Sequence, residues 1–376
     1  MVHGTTLSRG CGRCKHWERI TLPKLRKQIV YLDQSLLSSA FKGGDLRAMQ
    51  AVTLVSQLAS EQLLVAPHSN VHEDETHQWT GYGGKCATDL MEFIERTARG
   101  VEFLPTFRVE HTQAYKGFTA YLRQDAPVYR IEASDAMSGD LHEWHNYVYI
   151  TVGGYLGNAQ LVSRYKTEAV DTLIDVLDMW SKSTATFDQD IALEVRDAGR
   201  NYLREYFKFV SRVSNGDFGA MLDAPISSHC VQTLLHALPE ETQRDEAMQD
   251  IARYFASPYF AALPCEWLSA RIFATLKAMV RDGAFANREK AREKLSGVFF
   301  DVKHIATYAP YSDAIFVDNQ MANILGQPSV GLHNKFGTRV FCLNTIEQFM
   351  SWLTRSRQAM STDHRLNLQR VYGNVL

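Results

Sequence analysis

The strongest constraint on the fold of this chain is the placement of its short apolar runs. IVYL (29–32) and LLVA (63–66) lie near one end, AIFV (314–317) and RVFCL (339–343) near the other. Each is too short for a helix and too apolar for a solvated loop, so each reads as a buried strand. A strand buried on both faces needs neighbours. The four therefore have to share one sheet, although most of the chain lies between the two pairs.

What lies between has a different texture. MEFIERTARGVEF (91–103), AVDTLIDVLDMWSK (169–182), DIALEVRDAGRNYLREYFKFVSRV (190–213) and CEWLSARIFATLKAMVRDG (265–283) are long amphipathic patterns without a repeat period. The expected fold class is α/β, a parallel sheet flanked by helices and interrupted by a large all-helical insertion. The expected division is a basic N-terminal arm (1–28), the first part of the sheet domain (29–85), the helical insertion (86–293), the second part of the sheet domain (294–355) and a C-terminal tail (356–376).

Acidic residues sit where the strands end. IVYL runs into Asp33, and LLVA is followed by Pro67, by Ser69 as a helix N-cap and then by His72, Glu73 and Glu75. AIFV is bracketed by Asp313 and Asp318. Upstream, DVKHIATYA (301–309) has helical spacing and puts Asp301 and His304 three apart on one face. In open parallel sheets ligands bind beyond the carboxyl ends of strands, where Asp33, Glu73 or Glu75, and Asp318 belong.

These stretches carry a resemblance. YLDQSLLS (31–38), the acid just after LLVAP (63–67), and DVKHIATYA followed by DAIFVDN (313–319) resemble the PIN domain, a nuclease fold of bacterial toxins and RNA-processing enzymes. The match falls on Asp301, His304, Ala306, Thr307, Asp313 and Asp318, and VFCLNTIEQFMSWL (340–353) resembles the last strand and helix of that family. The resemblance implies a PIN-like sheet and an endoribonuclease dependent on Mg²⁺ or Mn²⁺, with RNA favoured over DNA as partner. It implies Asp33, Glu75, Asp301 and Asp318 as catalytic, and Asp33, Glu73, Glu75, Asp301, Asp313 and Asp318 as the metal set. Glu75 is preferred to Glu73 because it shares a helix face with His72. Ser35, His72, His304 and Asn319 are the implied substrate contacts.

This chain departs from the family in three ways. A large helical segment separates the second and third acids, His72 stands close to the family's glutamate position, and Asn319 occupies a place where further acids are usual. The insertion is expected to guide substrate, regulate or support a homo-oligomer.

The chemistry has a physical reason. Carboxylates converging within a few ångströms raise one another's pKa unless a cation neutralises them. Hard oxygen donors suit Mg²⁺ and Mn²⁺, which can activate water for attack on a phosphodiester. A second reading, a non-catalytic nucleic-acid-binding or interaction protein on the same scaffold, has less need to keep these acids together.

Other features narrow the class. The chain is 376 residues long, 45% hydrophobic and 22% charged with a formal net charge of −2, so overall charge does not call for a polyanion partner. Residues 1–28 are nonetheless basic, with Arg9, Arg13, Lys15, Arg19, Lys24, Arg26 and Lys27 against Glu18, and read as a solvated arm able to touch phosphates. No run of roughly 20 apolar residues and no signal-peptide core is present, so a cytoplasmic protein without a membrane partner is expected. Six scattered cysteines fit a reducing compartment.

Cys11 and Cys14 form a CxxC beside His16, but no second pair follows at zinc-finger spacing, which leaves half a tetrahedral site. DLHEWH (140–145) lacks the HExxH order, and TVGGYLG (151–157) and TGYGGK (80–85) lack nucleotide-loop spacing. Arg204, Lys208 and Arg212 recur every fourth residue and form a candidate phosphate-tracking stripe.

Overall fold

The computed structural model describes residues 2–138, 141–144, 176–221, 226–285 and 297–373, with residues 287, 290, 291 and 295. Asp140, His145, the TVGGYLG run, the opening of AVDTLIDVLDMWSK and residues 292–294 lie outside the described residues. Seven strands are described: β1 (Val2–His3), β2 (Thr6–Gly10), β3 (Trp17–Thr21), β4 (Gln28–Leu32), β5 (Leu64–Val65), β6 (Ala314–Phe316) and β7 (Arg339–Phe341).

The four apolar runs do share one sheet. Its order is β5-β4-β6-β7, all parallel, with Gln28 opposite Leu64, Leu32 opposite Phe316, and Phe316 opposite Phe341. Alternation along each strand feeds two cores. Ile29, Tyr31, Ile315 and Val317 face one side, with Val298, Val302 and Ile305 of the Val298–Tyr308 helix and Leu268, Ile272 and Leu276 of the Pro264–Arg281 helix. Val30, Leu32, Ala314 and Phe316 face the other, under helices Gln34–Lys42, Leu46–Ser60 and Ile346–Gln358. Phe349 sits 5.3 Å from Phe316 and 5.1 Å from Phe341, ring centre to centre. Burying one such ring contributes on the order of 1.5–3 kcal/mol.

Residues 86–293 are helical wherever they form regular structure among the described residues, apart from isolated bridges, and have a core of their own around Phe118, Leu234, Tyr254 and Phe260. The Phe187–Ser214 helix crosses Phe255 so closely that a Cβ at Gly199 would lie 2.7 Å from the Phe255 carbonyl oxygen. Only glycine fits there. Asp190 ties that helix to the Pro264–Arg281 helix through Arg281, at 2.7 Å, and Lys277 reaches both Asp190 and Glu194. The basic stripe is not bare: Lys208 pairs with Glu205, Arg212 with Asp217, and Arg204 reaches Glu205 and Asn201.

Two terminal expectations are corrected. The basic arm is a three-stranded antiparallel sheet, β1-β2-β3, with Leu7 opposite Ile20. Leu7 and Ile20 face the apolar side while Arg19 alternates outward, and Arg9, Arg13 and Lys15 are exposed at the end of β2 and in the turn after it, so the arm's charge conceals a one-sided apolar face. Val2, Leu7, Leu22 and Leu25 bury against Trp144 and Leu368, and Lys27 is itself buried, donating to the Glu143 carbonyl at 2.8 Å. The C-terminal tail supplies the helix Thr362–Tyr372, which carries Leu368 and is anchored by His364 on the Glu61 carbonyl, 2.7 Å away. Among the described residues no helix is long and apolar enough to cross a membrane.

Deleting residues 1–26 should therefore expose Trp144 and Leu368 and lower the Tm, rather than trim a passive tail. An unchanged melting curve would contradict this packing. Glu266 supplies a second test. Burial, then the nearby Glu110, push its carboxyl up to about 8 from an ordinary 4.5, against the pull of Lys303. A raised carboxyl stabilises below its unfolded pKa and loses that contribution as pH climbs through the folded one. Glu266→Gln should gain Tm over the wild type progressively between about pH 4.5 and 8. A pH-independent difference would refute it.

Candidate functional site

The strand order reverses at one place. From β4 the chain goes outward to β5, then returns across β4 to place β6 and β7 on its other side. Between β4 and β6 the connections diverge and leave a crevice at the carboxyl ends, the place where parallel sheets hold ligands.

Asp33 follows β4 and Asp318 follows β6 by two residues. Leu32 pairs with Phe316 and the Asp33 N–H donates to the Phe316 carbonyl at 2.9 Å, so the two aspartates stand on adjacent strands about 4.8 Å apart, one residue out of step. Both are helix N-caps. Asp33 accepts from the Ser35 N–H at 3.1 Å and from its hydroxyl, and Asp318 accepts from the Met321 N–H at 2.7 Å. Each spends one carboxylate oxygen on its cap. Neither pairs with a lysine or arginine among the described residues.

Three further predicted residues join them. On the Asn70–Thr76 helix Val71 and Thr76 are buried, and Glu75, one turn on from Val71, borders the crevice. On the Val298–Tyr308 helix the buried Val298, Val302 and Ile305 leave Asp301 and His304 to flank it. Tyr31, Val71, Ile305, Val317 and Met321 complete the walls around about 10 Å³ of space, the room of one water or one ion.

The electrostatics are those of acids crowded out of water. Burial, then the Glu75 charge, raise the Asp33 carboxyl above its ordinary range, against bonds from Ser35. Burial and the Asp33 charge hold the Tyr31 phenol far above its usual range, so it stays a hydroxyl. An oxygen-only ligand set under mutual repulsion fits a hard divalent cation. It is not yet closed up, because no three of Asp33, Glu75, Asp301 and Asp318 have ligand oxygens all within 4.8 Å of one another.

Other predicted site residues lie elsewhere or act differently. Asp313 is not a ligand: it precedes β6 while Asp318 follows it, and five strand residues span about 16 Å. There it accepts from the Ile29 N–H at 2.8 Å. Glu73 is two residues from Glu75, about 200° round the helix. It turns away from the crevice, and with His68 and Glu102 it forms the one group of three ligand atoms within 4.8 Å among the described residues. The His68 ring donates from Nδ1 to the Val101 carbonyl at 3.1 Å.

His72 does not face substrate. It is buried, its Nε2 donates to the Leu32 carbonyl at 2.7 Å, and its Nδ1 accepts from the Ser69 N–H at 3.0 Å. Burial pushes its pKa down to about 4, so it works neutral, locking the end of β4 to the start of the Glu75 helix. Ser35 spends its hydroxyl on Asp33, and Asn319 accepts from the Asn344 N–H at 3.2 Å. His142 donates from Nδ1 to the Leu25 carbonyl at 2.6 Å, and TGYGGK is a tight turn closed by Tyr82 and Lys85.

Tyr31 and Met321 are wall residues that sequence reasoning missed. Tyr31 follows from the alternation that places it on the face of Ile29, whereas Met321 needed the turn of the helix that Asp318 caps. No protein-family model matches the chain, and neither a curated protein nor a solved structure matches it.

Proposed function

We propose that this chain is a metal-dependent phosphodiesterase on a PIN-like scaffold, an endoribonuclease in class, working at the crevice between β4 and β6. One observation carries the reading: Asp33, Glu75, Asp301, His304 and Asp318, drawn from separate stretches of the sequence, border one crevice at the point where the strand order reverses. Helix caps alone need no such convergence. RNA is put ahead of DNA on the PIN resemblance.

Asp33 and Asp318 are the central ligands in this mechanism, with Glu75 and Asp301 approaching from the two flanking helices. A Mg²⁺ or Mn²⁺ ion held there would supply Lewis-acid stabilisation of the phosphoryl oxygens and lower the pKa of the attacking water. The chain's own contribution is to hold the acids apart until the cation arrives. Their caps orient Asp33 and Asp318, and neutral His72 fixes the strand end beside them. His304, one turn from Asp301, is placed to contact a substrate phosphate. The Tyr31 hydroxyl keeps its proton and can donate it in a hydrogen bond.

Asparagine caps a helix about as well as aspartate. Asp33→Asn and Asp318→Asn should therefore stay folded yet lose Mn²⁺-dependent cleavage of labelled RNA by on the order of 100-fold or more. Asp313→Asn, at the other end of β6, should cleave like the wild type. Full activity in both crevice variants would sink the assignment and leave the non-catalytic reading.

Thermal melts give an independent check. Because the Asp33 carboxyl is raised, its ionisation costs stability as pH rises above the ordinary carboxylate range. Asp33→Asn should raise the metal-free Tm at neutral pH and not at acid pH, while Mn²⁺ should raise the Tm of the wild type alone. A metal-free Tm below the wild type at neutral pH, or an equal rise with Mn²⁺ in both proteins, would contradict it.

A further inference from the structure

The CxxC motif stands apart from the crevice, on the turn between β2 and β3. Cys11 and Cys14 are both exposed free thiols, and the turn is closed by bonds from the Cys11 N–H to the His16 carbonyl, 2.9 Å, and from the Lys15 N–H to the Cys11 carbonyl, 3.0 Å. Inside it the Cys11 thiol sits by the backbone of Arg13 and Cys14 and by the Cys14 side chain. Backbone amides near a sulfur stabilise a thiolate, and the second thiol follows three residues on, on the same turn. These contacts hold the Cys11 thiol below its ordinary range.

A thiolate pair of this kind suits a soft or borderline divalent cation, and zinc bound by sulfur is four-coordinate. The chain offers only two sulfurs here. Cys230, Cys265 and Cys342 are buried, and Cys86 is the N-cap of the Ala87–Ala98 helix. Among the described residues no third histidine, cysteine or carboxylate joins the pair within 4.8 Å. Next to the turn, Trp17 is 72% exposed and lies over Gly10, where a Cβ would be 3.1 Å from its ring. Most of that ring is exposed apolar surface beside the turn.

We infer that Cys11 and Cys14 form half of a zinc-type site that is completed by the same turn of a second copy, giving a four-thiolate, metal-bridged dimer. Binding releases the thiol protons to solvent, two sulfurs per chain coordinate the ion, and the two Trp17 rings come together at the junction.

The full-length protein, kept reduced by a phosphine, should be titrated with Co²⁺ and followed by thiolate-to-cobalt charge-transfer absorption and by light scattering. The inference expects a band that saturates near one cobalt per two chains, a doubling of mass, and reversal of both by zinc displacement and by chelation respectively. Cys11→Ser and Cys14→Ser should each abolish the band and the doubling while melting like the wild type, since both side chains are exposed. Asp33→Asn should leave them unchanged, which separates this site from the crevice. Absence of the band, saturation at one cobalt per monomer, or a dimer that persists in the serine variants would overturn it.

Discussion

Everything at the crevice depends on the pairing of β4 with β6. Ile29 and Asp313 are 284 residues apart in sequence, yet the Asp313 N–H donates to the Ile29 carbonyl and its carboxylate accepts from the Ile29 N–H. Asp313 is thus the clamp that starts the ladder. A parallel strand can slide, and a slip of one residue would exchange Ile315 and Val317 with Ala314 and Phe316 between the two cores. The same slip would carry Asp318 away from Asp33. An acid that looks like a ligand in the sequence works instead by fixing the register that brings the crevice acids together.

That pairing also explains how a long insertion is tolerated. Loop-closure entropy grows slowly, about 0.6 kcal/mol for each doubling of length. The insertion offsets its own ordering with a separate core and joins the sheet through helices that bury apolar faces on it, Leu268, Ile272 and Leu276 among them. One consequence reaches the crevice directly. The Val298–Tyr308 helix is held by the insertion on one side and by β4 and β6 on the other, and it carries Asp301 and His304.

Much of this was legible in the sequence, for identifiable reasons. IVYL, AIFV and RVF are dense in β-branched and aromatic residues and LLVA is apolar throughout, so the sheet and its parallel sense were visible, and Asp33 and Asp318 followed as the residues at two strand ends. Asp313 and Asp318 could not be separated by motif, because only the direction of β6 tells which end of the sheet each occupies. Glu73 and Glu75 needed the helix phase set by buried Val71. His72 was expected as a substrate contact because it stands close to the family's glutamate position, and burial between two backbone partners decided otherwise. The N-terminal sheet was hidden because its strands are short and their outward residues basic, so composition masked the alternation that buries Leu7.

The most direct test of the account is diffraction from crystals grown with Mn²⁺, using the anomalous signal to locate the ion. The account predicts a peak in the crevice about 2.0–2.6 Å from carboxylate oxygens of both Asp33 and Asp318, with Glu75 or Asp301 drawn in to complete the shell. An empty crevice at saturating Mn²⁺, or a peak only among His68, Glu73 and Glu102, would contradict it.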